Sequence, residues 1–98
     1  MITEFDARLW VWDPERRDSW MFATLPEDLA EDIRALAGPR RGFGSSRVRV
    51  GIGATRWSTS VFPDRTRGYL LPVKRAVRRA EGLRPGDVAT VSLELLEL

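Results

Sequence analysis

Alternation of apolar and polar positions dominates the chain. In "ITEFDARLWVW", Phe5, Ala7, Leu9 and Val11 fall on one face and Glu4, Asp6, Arg8, Trp10 and Trp12 on the other, the period of a half-buried strand. "WDPERRDS" reads as a turn, and "WMFATL" (Trp20 to Leu25) as a short strand apolar on both sides. "RVRVGIG" sets Val48, Val50 and Ile52 against Arg47, Arg49 and Gly51. "ATRWSTSVFP" continues with Trp57, Thr59 and Val61 against Ser58, Ser60 and Phe62, and "GAT" supplies the hairpin turn between the two. "YLLP" predicts a fifth strand, and "VATVSLELLEL" a sixth with Ala89, Val91, Leu93 and Leu95 on one face.

Two segments switch to a helical period. In "PEDLAEDIRALAG", Pro26 suits a first helical position, Glu27 and Asp28 oppose the N-terminal dipole, and Leu29, Ile33 and Leu36 form one stripe; Gly38 and Pro39 stop it. In "PVKRAVRRAEG", Val73, Ala76, Val77 and Ala80 make the predicted buried stripe, while Lys74, Arg75, Arg78 and Arg79 project from the rest of the circumference. Gly82 suits the left-handed C-terminal position, Leu83 can fold back onto the stripe, and "RPGD" makes a turn with Pro second and Gly third. The longest irregular stretch is "GPRRGFGSS" (Gly38 to Ser46). Strands before and after each helix, joined by tight turns, predict a mainly β (β-rich α+β) fold: one domain over residues 1–98, a small β-barrel of about six strands with two short helices over its open ends.

Composition narrows the chemistry. At 98 residues with 43% apolar, the chain can build one core unaided. It has no cysteine and no histidine, which removes disulfides, thiol nucleophiles, Cys/His zinc sites and the usual base at neutral pH. No cofactor and no catalytic residue are therefore expected, and the balance leans against an enzyme. The start lacks a basic segment followed by an apolar one, and no apolar run is long enough to span a bilayer, so the expected compartment is the cytoplasm, without membrane contact. Charge is uneven: residues 1–32 carry nine acids and three bases, a net −6, leaving +8 on the remainder. A basic binding face, two parts that attract each other within the fold or across a homodimer, and arginine usage from a GC-rich genome each account for that asymmetry.

The segment "RVRVGIGATRWSTSVFPDRTRGYLLPVKRAVRRAEGLRPGDVATVSLEL", preceded by "LPEDLAEDI", resembles the DUF1905 family of small bacterial proteins of unknown function. The motifs follow in order: a Leu-Pro helix, a basic strand into a Gly-containing turn, Trp-x-Thr-Ser-x-Phe-Pro, Leu-Pro-Val-Lys, a basic helix and Gly-Asp. The resemblance implies a compact β-barrel-like fold and carries no established activity or site. A shorter string, Pro72, Arg75 to Arg79, Gly82-Leu83, Gly86-Asp87 and Val88 to Leu93, is similar to AbrB-type swapped-hairpin barrels, although a helix–turn–strand corner selects the same residues in unrelated folds.

The candidate site is the basic cluster Lys74, Arg75, Arg78 and Arg79, with Trp57 and Ser60 nearby, expected to hold a small anionic ligand or nucleic acid. Its bland counterpart is a solvated helix face paired with Glu81 or with the acids of the first helix. The rival function is a small-molecule binder or small enzyme using a pocket around Trp57 to Phe62 and Lys74, the lysine serving as base for a hydroxyl of "WSTS". Phe43 beside Arg41 is a second stacking candidate, whereas "GFGSS" lacks the Gly-Lys-Ser/Thr ending of a phosphate loop and reads as a plain loop. Trp10 and Trp12 are expected to pack internally at a covered barrel end, the alternative being an exposed patch for a partner or a homodimer.

Overall fold

Each alternating segment forms a strand: β1 (Ile2–Val11), β2 (Met21–Thr24), β3 (Ser46–Ile52), β4 (Thr55–Asp64), β5 (Gly68–Val73) and β6 (Val88–Leu95). Two helices, α1 (Glu27–Ala37) and α2 (Arg75–Glu81), complete the computed structural model, which describes residues 2–16, 19–37 and 45–96. The strands close into a barrel in the order β1-β2-β5-β4-β3-β6, every pair antiparallel. Among the described residues, no helix is long and apolar enough to cross a membrane.

Closure rests on β1, which pairs with β6 over seven positions from Ile2↔Glu94 to Arg8↔Val88 and with β2 at Leu9↔Ala23 to Val11↔Met21. The ladder runs on into the "RPGD" turn, where the Leu9 N–H donates to the Asp87 carbonyl (2.8 Å) and the Gly86 N–H to that of Leu9 (2.7 Å). Paired side chains share a face, so Leu9, Ala23 and Leu71 point inward together, as do Trp57, Val50 and Leu93. All of these are buried, and with Val48, Val61 and Val91 they fill the barrel.

The helices plug opposite mouths. β2 and β5 are antiparallel, with Thr24 beside Leu70 and Met21 beside Val73. The helix that leaves the end of β2 therefore lies at one mouth, and the helix that leaves the end of β5 at the other. Leu29, Ala30 and Ile33 of α1 join the core, and Arg34 lies over the Tyr69 ring at 5.4 Å. Pro26 precedes the helix and contributes its carbonyl to the first i→i−4 bond, accepting from the Ala30 N–H at 2.9 Å. At the far mouth Gly82 takes the left-handed conformation (φ 63°), with its N–H directed at the Arg79 carbonyl and that of Leu83 at Arg78. Leu83 packs back against the core, as its position after the glycine predicts.

Both helical stripes are narrower than their periodicity predicts. Leu36 is 46% exposed while Ala30 is buried, so the α1 contact is Leu29, Ala30 and Ile33. On α2, Ala76 and Ala80 are exposed and Val77 alone is buried. A plug seven residues long meets a barrel mouth at one point, and Val73 and Leu83 on either side cover the remainder. The expected stop at Gly38 and Pro39, and the stacking candidate Phe43 beside Arg41, lie outside the described residues.

The β3–β4 hairpin is docked on this plug. Its two-residue turn is Gly53-Ala54, with Gly53 at φ 58°, and Thr55 Oγ1 donates to Glu81 Oε2 at 2.6 Å. A Cβ at Gly53 would collide with the Glu81 carboxylate. Gly53→Ala is therefore expected to lower the thermal midpoint through both backbone strain and displacement of Glu81. Leu9→Ala, at a fully buried position on the closing strand, is expected to cost about 2–5 kcal/mol in urea unfolding; a loss below 1 kcal/mol, by the order-of-magnitude scale for buried leucines, would contradict this packing.

Candidate functional site

The outer wall of the barrel carries a second apolar layer. Trp10 pairs with Phe22, Phe22 with Pro72, and Leu70 with both Thr24 and Phe62, so these residues share the outward face. Phe22 is only 7% exposed although it stands outside the barrel. It is the hub of a ring cluster: Trp10 lies at 5.1 Å, Phe62 edge-on at 6.0 Å, Trp20 nearly parallel at 6.2 Å and Trp12 edge-on at 6.4 Å. The Trp10 Nε1–H donates to Thr24 Oγ1 at 2.9 Å, which fixes that indole half-buried in the layer.

A guanidinium covers one edge. Arg67 stands 4.7 Å from the Trp10 ring centre and 5.3 Å from that of Trp12. Its position is set by Asp64, whose Oδ1 accepts the N–H groups of Thr66 (2.8 Å) and Arg67 (2.9 Å), while Oδ2 lies 3.9 Å from the Arg67 guanidinium. The two backbone N–H groups, aided by the Arg67 charge, hold the Asp64 carboxyl below its ordinary value of 3.8.

At the α2 end of the wall the layer opens. The Trp12 N–H donates to the Trp20 carbonyl at 2.9 Å, which sets the two tryptophans opposite each other one step beyond the Trp10–Phe22 pair. Trp12 is 61% and Trp20 67% exposed. Internal packing therefore describes Trp10 and not Trp12, because the strand ends run past the layer that would have covered the second indole. Trp12, Trp20 and Phe22, with Asp13, Arg16 and Ser19, line an open cleft of about 610 Å³. A second groove of about 300 Å³ shares Ser19 and Trp20 and leads onto α2 along Val73, Lys74, Arg75 and Arg78.

The basic cluster stays together. Lys74, Arg75 and Arg79 are exposed and make no ion pair with any described residue; Arg78, half-buried, donates to the Ser19 carbonyl at 3.2 Å. Glu81 is taken by Thr55, and the α1 acids Glu27, Asp28, Glu31 and Asp32 are exposed at the opposite mouth. The −6 and +8 parts of the chain thus do not neutralise each other through their helices. Trp57 and Ser60 are not brought to this cluster as one surface. Trp57 is 8% exposed and faces into the barrel, which corrects its placement as a stacking platform; three positions on, Ser60 faces outward and accepts a 3.4 Å hydrogen bond from Arg47. The wall that β4 lends to the rival pocket is therefore packed core at Trp57 and Val61, and Lys74 is exposed. Sequence reasoning missed Trp20, whose only local signal was a tryptophan opening a strand.

The DUF1905 family, a domain of unknown function, matches residues 5–93. The chain belongs to this family. Among curated proteins, none matches it. In this DUF1905 domain the match takes in β1 from Phe5 onward, both helices and all but the end of β6, so the aromatic layer, the cleft and the basic helix all lie within it.

The depressed Asp64 pKa carries a signed prediction. A carboxyl titrating lower when folded contributes stability that is present above its unfolded value and lost as pH falls through the folded one. Below pH 3.8 the Thr66–Arg67 turn is expected to loosen and Arg67 to leave Trp10 and Trp12, changing tryptophan emission. Asp64→Ala should show the altered emission already at neutral pH; identical acid titrations of both proteins would contradict the assignment.

Proposed function

We propose that this domain is a non-enzymatic binding module whose α2 face takes an anionic ligand, nucleic acid phosphate included. The supporting observation is that Lys74, Arg75 and Arg79 project from one short helix without an acidic partner among the described residues, beside a groove that Lys74, Arg75 and Arg78 line. Long basic side chains held this way keep their charge available, and an incoming polyanion gains by releasing its condensed counterions. An exposed, arginine-rich face suits phosphate or carboxylate recognition better than acid–base chemistry, which needs an enclosed group of perturbed pKa.

Arg78 is tethered to the β1–β2 connection through the Ser19 carbonyl, so the test falls on its neighbours. In fluorescence anisotropy with labelled mixed-sequence DNA and RNA, binding is expected to weaken steeply with salt. The double change Arg75→Glu and Arg79→Glu should abolish it at physiological salt without moving the thermal midpoint. Unchanged affinity in that variant would overturn the assignment of α2.

A further inference from the structure

We infer that the ligand is a single-stranded nucleic acid whose bases stack on Trp20 and Trp12 while its phosphates follow α2. This rests on the proposed anion-binding role of α2 and assigns a chemistry to the surface next to it. Two tryptophans exposed by 61% and 67% stand opposite each other on paired backbone, although the layer beside them buries Phe22 and half-buries Trp10. Large apolar rings left in water at one place mark a contact surface. Their setting selects the partner. Trp20 lines both grooves, so the cleft between indoles continues directly into the groove walled by Lys74, Arg75 and Arg78.

A ligand that fills both grooves carries flat rings and regularly spaced negative charge on one flexible chain. Single-stranded nucleic acid has that combination, and stacking platforms beside a basic track are how it is bound without sequence preference. A duplex fits less well, because its bases are already stacked on each other and cannot enter the cleft. Charge points the same way. Among the described residues, four of the five ionisable side chains lining the two grooves are basic, and the carboxylate of the fifth, Asp13, accepts the Glu15 N–H at 3.0 Å. Arg67, over Trp10 and Trp12, adds a cation at the outer margin.

The test uses labelled oligothymidylate of about twelve nucleotides, within the span that one small barrel occupies on a single strand, and a duplex of equal length. Trp20→Ala is expected to weaken oligothymidylate binding about tenfold or more while leaving duplex affinity unchanged, and Trp20→Phe should restore part of the loss. Trp20 is exposed, so both variants should fold; quenching of tryptophan emission in the unaltered protein by oligothymidylate gives an independent readout. If Trp20→Ala binds oligothymidylate normally while Arg75→Glu with Arg79→Glu does not, anion binding by α2 stands and stacking is overturned. If neither change matters, or nothing binds at low salt, both fall. Sedimentation that shows self-association abolished by Trp20→Ala, with no response to oligothymidylate, would make the cleft a contact between copies and overturn the inference.

Discussion

A sheet of six short strands closes only if its first and last members meet, and the seven pairs between β1 and β6 accomplish this. Closure removes the exposed edges that would otherwise invite pairing with other chains. It also fixes an inside and an outside, and a six-stranded interior is narrow. Valine, leucine and alanine fill most of it, with Trp57 and Tyr69 the bulky exceptions. The remaining described tryptophans and Phe22 and Phe62 are carried outside, where they build a second layer against the wall. The surface chemistry of this domain is thus a consequence of how little room its barrel has.

The same closure separates charge. With helices leaving opposite ends of the sheet, an acidic helix plugs one mouth and a basic helix the other. Each is held by very few buried residues, since a mouth offers one small apolar spot. The solvent-facing circumference of α2 is then free to carry arginine without a packing penalty, and the nearby β1–β2 connection supplies the indoles. Fold and candidate site are therefore joined at two points: the Arg78 bond to Ser19 and the shared wall of Trp20.

Strand alternation was legible because it is local: Leu9, Val50, Val61 and Leu93 each point inward as their parity predicts. Helix stripes were less so. Ala76, Ala80 and Leu36 have the right spacing, but whether a helix buries one turn or three depends on the shape of what it docks against. The site was legible in its charges and not in its rings. Trp57 and Ser60 lie three positions apart on one strand, a separation that puts them on opposite faces, so they could not share a surface. The pairing of Trp12 with Trp20 depends on the hairpin register, which the seven intervening residues do not encode in any short pattern.

The four tryptophans are separate reporters of where a ligand sits, because one is in the core, one is pinned to Thr24 and two are exposed. The most direct measurement is to follow their indole N–H resonances by heteronuclear NMR while oligothymidylate is added. The account predicts large shifts for Trp12 and Trp20, a small one for Trp10 and none for Trp57. Shifts led by Trp57 would place the ligand in the barrel interior, and with no indole moving the outer wall would be no binding surface; either result contradicts the account.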